Sequence, residues 1–193
     1  MAAFDSVPTA QTSNPNFDEL RETYNNMTSL FPHPQYAEDQ PYARSILYLH
    51  VMRASAMSFS FFSLFQFPIS VIAARSRKIS VDYKTILSRT LKTTGRGLVL
   101  GTAAGALMIW GRMRGREEIE WKDRSWRILE NDGEVKTDWV TLGAAGGGAV
   151  GAMFAARGGS LPLRLGHAML GGAGVGMASG VPYMIGTFAS GRK

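Results

Sequence analysis

The chain has 193 residues, with 21 Lys plus Arg against 15 Asp plus Glu and a net charge of +6. That length fits one ordinary domain. The absence of cysteine excludes disulfides and cysteine-based metal sites, and the three histidines, at 33, 50 and 167, never form a close pair. The mean hydropathy of −0.05 averages over bunched charges and long uncharged runs, and no acidic residue follows Asp138.

Residues 1–16, MAAFDSVPTAQTSNPN, read as a disordered lead, and 17–30, FDELRETYNNMTSL, as one short helix. The three-proline connector FPHPQYAEDQP follows. Residues 1–40 are thus expected to be a mostly disordered segment ahead of a membrane domain over 41–193. Asp5, with no Arg-rich amphipathic or apolar stretch near it, argues against a secretory signal or a cleavable presequence. Pro41 suits the first turn of a helix, whose early turns carry Arg44, His50 and Arg53 outside the apolar core.

That helix runs into the first of four uncharged runs, Ala54 to Ala74, rich in phenylalanine and containing Pro68, where a kink is expected. The basic stretch 75–96 comes next, and Asp82 is a candidate N-cap. Residues 82–92, DYKTILSRTLK, place Ile86, Leu87 and Leu91 on one face as an interfacial extension of the second run, Gly97 to Gly111. That run is short, but 93–111 reaches span length if Arg96 and Arg112 snorkel to the interfaces. Residues 112–138 form a soluble loop of seven basic and eight acidic residues with Trp121 and Trp126. A helix from about Gly115 to Leu129, ended by Asn-Asp-Gly, is favoured there, with a hairpin turning at 131–133 as the alternative. The third run spans 139–156 and the fourth 165–189.

Glycine costs a water-exposed helix about 1 kcal/mol relative to alanine, yet Leu142 to Gly159 holds seven glycines and six alanines. In lipid, unbonded backbone groups have no water to turn to, so the helix is enforced despite poor propensity. Spacing adds a purpose. Gly97, Gly101 and Gly105, Gly143, Gly147 and Gly151, and Gly172, Gly176 and Gly180 each repeat every fourth residue. Each set forms a smooth stripe along one helix, suited to close helix approach. The expected fold is an all-α membrane protein, a compact bundle of four glycine-striped transmembrane helices with short interfacial helices. The runs need about 17–25 residues each to span.

Charge orients the bundle. The 75–96 and 157–164 loops sum to +8, and the opposite side, with both termini and 112–138, sums to −2. The positive-inside rule places the former in the cytoplasm or mitochondrial matrix. Arg75, Arg77 and Lys78 are candidates for contact with anionic phospholipid headgroups. Trp121, Arg124, Trp126 and Arg127 are candidates for contact with a protein partner.

Nothing points to enzyme chemistry or to nucleic acid. Gly146 to Gly151, GGGAVG, matches G-x-G-x-x-G, but that site needs an acid about 20 residues later and none follows. His167 is the ionisable residue well inside a run, and a proton relay would need carboxylate partners there. No catalytic residue, metal site or cofactor is expected beyond a structural anionic lipid.

Four glycine-striped spans with both termini on the less positive side resemble the mitochondrial inner-membrane translocase family. The likeness covers about residues 45–190 and is best in TDWVTLGAAGGGAVGAMFAARGG, where Asp138 precedes the stripe, and in TTGRGLVLGTAAGALMIWG. That family contains import-channel subunits and an accessory subunit of respiratory complex I. Import members carry an arginine four residues before the aspartate, where this chain has Glu134, and they use acidic or polar residues in a membrane cavity. The resemblance therefore implies the accessory branch, a non-catalytic structural subunit among other subunits of a mitochondrial inner-membrane complex, both termini in the intermembrane space. The alternatives are an import component or a multi-pass protein of another organelle.

Overall fold

A computed structural model describes residues 31–77 and 82–190. The expected lead, the expected helix at 17–30 and Lys78 lie outside the described residues, among which every regular element is helical. The helices are α1 (Ala43–Leu64), α2 (Gln66–Ser76), α3 (Tyr83–Met113), α4 (Glu118–Glu130), α5 (Asp132–Arg157), α6 (Leu165–Ala178) and α7 (Gly180–Ala189).

Two prolines set two of the boundaries. A proline ring clashes with the carbonyl four residues earlier. Pro68 meets Leu64, where α1 ends, and Pro182 meets Ala178, where α6 ends. The interruptions are slight, since Phe65 and Ser179 keep helical dihedrals. The chain therefore runs as near-continuous rods over Ala43–Ser76 and Leu165–Ala189. Pro41 lies just outside α1, not in its first turn. Tyr42 takes the left-handed conformation, φ 56°, and its carbonyl accepts the Ile46 amide at 3.0 Å.

Between the long rods lies the expected helix of the 112–138 region, α4, and no hairpin. Gly115, φ 76°, turns the chain out of α3. Asn131 does not end the helical structure but caps α5, its Oδ1 accepting from the amides of Gly133 and Glu134 at 3.1 and 3.4 Å. Asp82 stands at the N-terminus of α3 without a side-chain capping bond.

Three helices, Ala43–Ser76, Asp132–Arg157 and Leu165–Ala189, are long and apolar enough to cross a membrane. The second uncharged run differs. It lies within the 31-residue α3, and its fifteen residues are bracketed by Arg96 and Arg112, so any stretch of span length over it takes in an arginine.

Packing is decided at glycines. Along α3, Gly97, Gly101 and Gly105 face α1, with which it runs antiparallel. A Cβ on Gly101 would stand 2.7 Å from the Cα of Ala56, and one on Gly105 2.8 Å from the Cα of Met52. Helix α6 lies between α3 and α5. Gly171 and Gly174 press on the carbonyls of Leu91 and Thr94 in α3, while Gly172 and Gly176 press on those of Gly148 and Ala144 in α5. Thr94 Oγ1 donates to the Gly171 carbonyl at 3.1 Å. Gly180 abuts Thr141 and Met57. The stripe expected on α5 is displaced by one residue. Gly143, Gly147 and Gly151 face open space, with nothing within 4 Å of a Cβ built there. The small residues that meet α6 are Ala144, Gly148 and Ala152.

Candidate functional site

The end of the bundle that carries α4 is built as a cap. The sequence of α4 puts Trp121, Ser125 and Ile128 on one helical face. Trp121 is buried in a cluster with Ala43, Leu47, Ile109 and Met113, joining α4 to α1 and α3. Its ring stacks on Tyr48 at 6.1 Å, and the Arg44 guanidinium lies 5.4 Å over it. The connector at 31–42 then crosses α4 as a strap. Trp126 Nε1 donates to the Pro34 carbonyl at 2.9 Å, and Lys122 Nζ to that of Glu38 at 2.6 Å. His33 Nε2 meets Glu130 Oε2 at 2.7 Å. Gln40, 2% exposed, closes the strap by donating to the carbonyls of Pro32 and Pro41, each at 3.0 Å.

Under this cap lies an ion cluster that joins α1 to α5. The Arg53 side chain is 5% exposed. Its Nη2 donates to Glu134 Oε2 at 3.2 Å, and its Nε pairs with Asp138 Oδ1. His50 Nδ1 stands 3.6 Å from Asp138 Oδ2 and its Nε2 3.8 Å from Glu134 Oε2. One guanidinium thus bridges two carboxylates spaced one turn apart on α5. A cavity of about 90 Å³ borders the cluster, its walls including Ile46, Leu49, Val135 and Leu142. Below it the next layer is hydroxyl-bearing but self-satisfied. Thr141 is 0% exposed and donates to the Thr137 carbonyl at 2.7 Å.

Chemically this arrangement clamps helices. Arg53 is committed to Glu134 on one edge and Asp138 on the other, and a planar cation held between two carboxylates fixes orientation as well as charge.

Of the candidates for partner contact, Trp121 is buried in the core, and Trp126 is half-buried, bonded to the strap and part of a cleft wall with Arg127 and Phe188. Arg127 is exposed and pairs with Asp123 at 3.1 Å. Arg124 is half-buried in a cleft beside Arg112. Arg75 and Arg77 are exposed at the end of α2. His167 is exposed in the first turn of α6, apart from every group named above.

The family comparison covers this cap, its ion cluster and most of the bundle. A family model described as "Protein of unknown function (DUF1757)" matches residues 24–181. The chain belongs to the DUF1757 family. No curated protein and no solved structure matches it. The matched DUF1757 span begins ahead of the strap and ends in the first residues of α7.

Proposed function

We propose that this DUF1757 protein is a non-catalytic structural subunit of a mitochondrial inner-membrane complex, respiratory complex I, whose membrane arm it stabilises by helix packing and by binding lipid. In this reading α3 is a fourth span, immersed over about 93–111, and both termini face the intermembrane space. The host and the organelle come from the sequence resemblance. The observation that carries the structural role is the contact of α6 with α3 on one side and α5 on the other, backbone against backbone. Such contact gains van der Waals energy in lipid and leaves no room between the helices for a water path, which a conducting pore requires.

The test is comigration. Mitochondrial membranes solubilised in mild detergent are run on a native gel, and the protein is expected to travel with respiratory complex I. Depletion of the protein is expected to lower the assembled complex. Migration with a protein-import complex, or recovery from a different organelle, would overturn the assignment.

A further inference from the structure

We propose that the crevice between α2 and the first half of α3 binds the phosphate of an anionic phospholipid. It encloses about 230 Å³. Its walls combine Arg89, Lys92 and Arg96 with Phe67, Ala74 and Ile86. The three cations stand three and four residues apart, so they share one face of α3. None makes an ion pair with an acid among the described residues, and no carboxylate lines the crevice.

Depth makes that arrangement informative. Gly95 abuts Leu170 and Gly171, and Gly171 is seven residues past Arg164, roughly 10 Å along the helix. Arg96 therefore lies deeper than Arg157 and Arg164, which mark the basic edge of the neighbouring helices. Along the crevice and toward the basic edge α2 exposes Ile69 and Ile72, at 64% and 68%. Three uncompensated cations beside an apolar, outward-facing helix repel one another and are costly at membrane depth. Helical side chains tilt toward the N-terminus, so all three lean toward the basic edge. A phosphodiester entering there would meet them, while its acyl chains continue along Phe67 and Ile86. The residues differ from Arg75 and Arg77, which lie at the far end of α2.

The inference rests on the membrane-embedded reading, and its test separates the two. Full-length protein in a neutral detergent is titrated with phosphatidylglycerol, with phosphatidylcholine and with inorganic phosphate, and adducts are counted by native mass spectrometry. Phosphatidylglycerol is expected to be retained, phosphatidylcholine and phosphate not. Each cation near a membrane surface contributes about a fivefold gain. The triple change Arg89→Gln, Lys92→Gln, Arg96→Gln should therefore weaken retention about a hundredfold, and Lys92→Gln alone, which keeps the fold if the triple variant does not, about fivefold. Arg112→Gln with Arg114→Gln, at the opposite end of α3, should leave it unchanged. Equal retention of phosphatidylcholine, or equal loss in that control, would overturn the site, and competition by inorganic phosphate would overturn the lipid as its occupant. Release of the protein from membranes by alkaline carbonate would instead overturn the membrane reading. Carbonate resistance without retention of phosphatidylglycerol overturns the crevice alone.

Discussion

Arg53 is the residue on which the cap end depends most. Its guanidinium pairs with Glu134 and Asp138 together, and His50 stands beside both carboxylates. Removing one partner of a buried ion pair leaves an uncompensated charge and costs about 3–5 kcal/mol. Arg53→Met should cost about 3 kcal/mol, the lower end of that range, since two carboxylates lose their cation but are 31% and 23% exposed. Arg53→Lys should recover only part of it, because an ammonium is a point charge that cannot bridge both edges of the pair. Asp138→Asn should cost less, as Glu134 keeps its bond. Combining Arg53→Met with Glu134→Gln and Asp138→Asn should recover much of the loss, because the buried charges go together. Thermal unfolding in detergent measures the series. An Arg53→Met protein as stable as the parent would mean that the cluster does not clamp α1 to α5.

At the scale of elements, α5 shows how a close-packed face differs from a merely small one. Gly176 meets the Ala144 carbonyl directly, and Gly147 meets nothing. Gly176→Ala should therefore destabilise the chain by about 1–3 kcal/mol through overpacking. Gly147→Ala should be neutral or gain up to about 1 kcal/mol from helix propensity. Unfolding curves of the two variants in detergent test this, and equal losses would place the contact face elsewhere. The same pair marks the limit of legibility. Helix positions followed from the uncharged runs, and Gly97, Gly101 and Gly105 stand where α1 comes closest. On α5, however, Gly143, Gly147 and Gly151 and the neighbouring Ala144, Gly148 and Ala152 both repeat small residues every fourth position, and spacing alone cannot choose between them. The ion cluster carried a fainter signal: His50 and Arg53 just before one uncharged run, Glu134 and Asp138 just before another, hence at one depth. The tryptophans show a further limit, because an aromatic residue in a charged helix is as well suited to a strap from its own chain as to a partner.

For the whole molecule, the packing fixes the relative direction of every long helix. Helices α3 and α6 run together, and α1 and α5 run against them, since Gly101 meets Ala56, Gly172 meets Gly148 and Gly95 meets Gly171. The strap, α4 and the end of α7 then share one side, and Arg77, Asp82 and the turn at 158–164 share the other. The two sides also differ in how their cations are held. On the α4 side Arg44, Arg53, Arg116 and Arg127 pair with carboxylates, while Arg112, Arg114, Lys122, Arg124 and Lys136 make no ion pair among the described residues. On the other side none of Arg75, Arg77, Lys84, Arg89, Lys92, Arg96, Arg157 and Arg164 has an acidic partner among the described residues. On the proposed mitochondrial reading, the side of α2's end, where the short stretches beside the spans carry Lys and Arg with Asp82 as their one acid, should be the matrix side. The chain has no cysteine, which makes a direct test available. Gln35 in the strap and Ser160 in the turn before α6 are both exposed, and neither shares the ion cluster. In mitoplasts, an impermeant maleimide should label Gln35→Cys at once and Ser160→Cys only after the membrane is permeabilised. The reverse pattern would invert the orientation, and prompt labelling of both would mean that the helices do not separate two compartments.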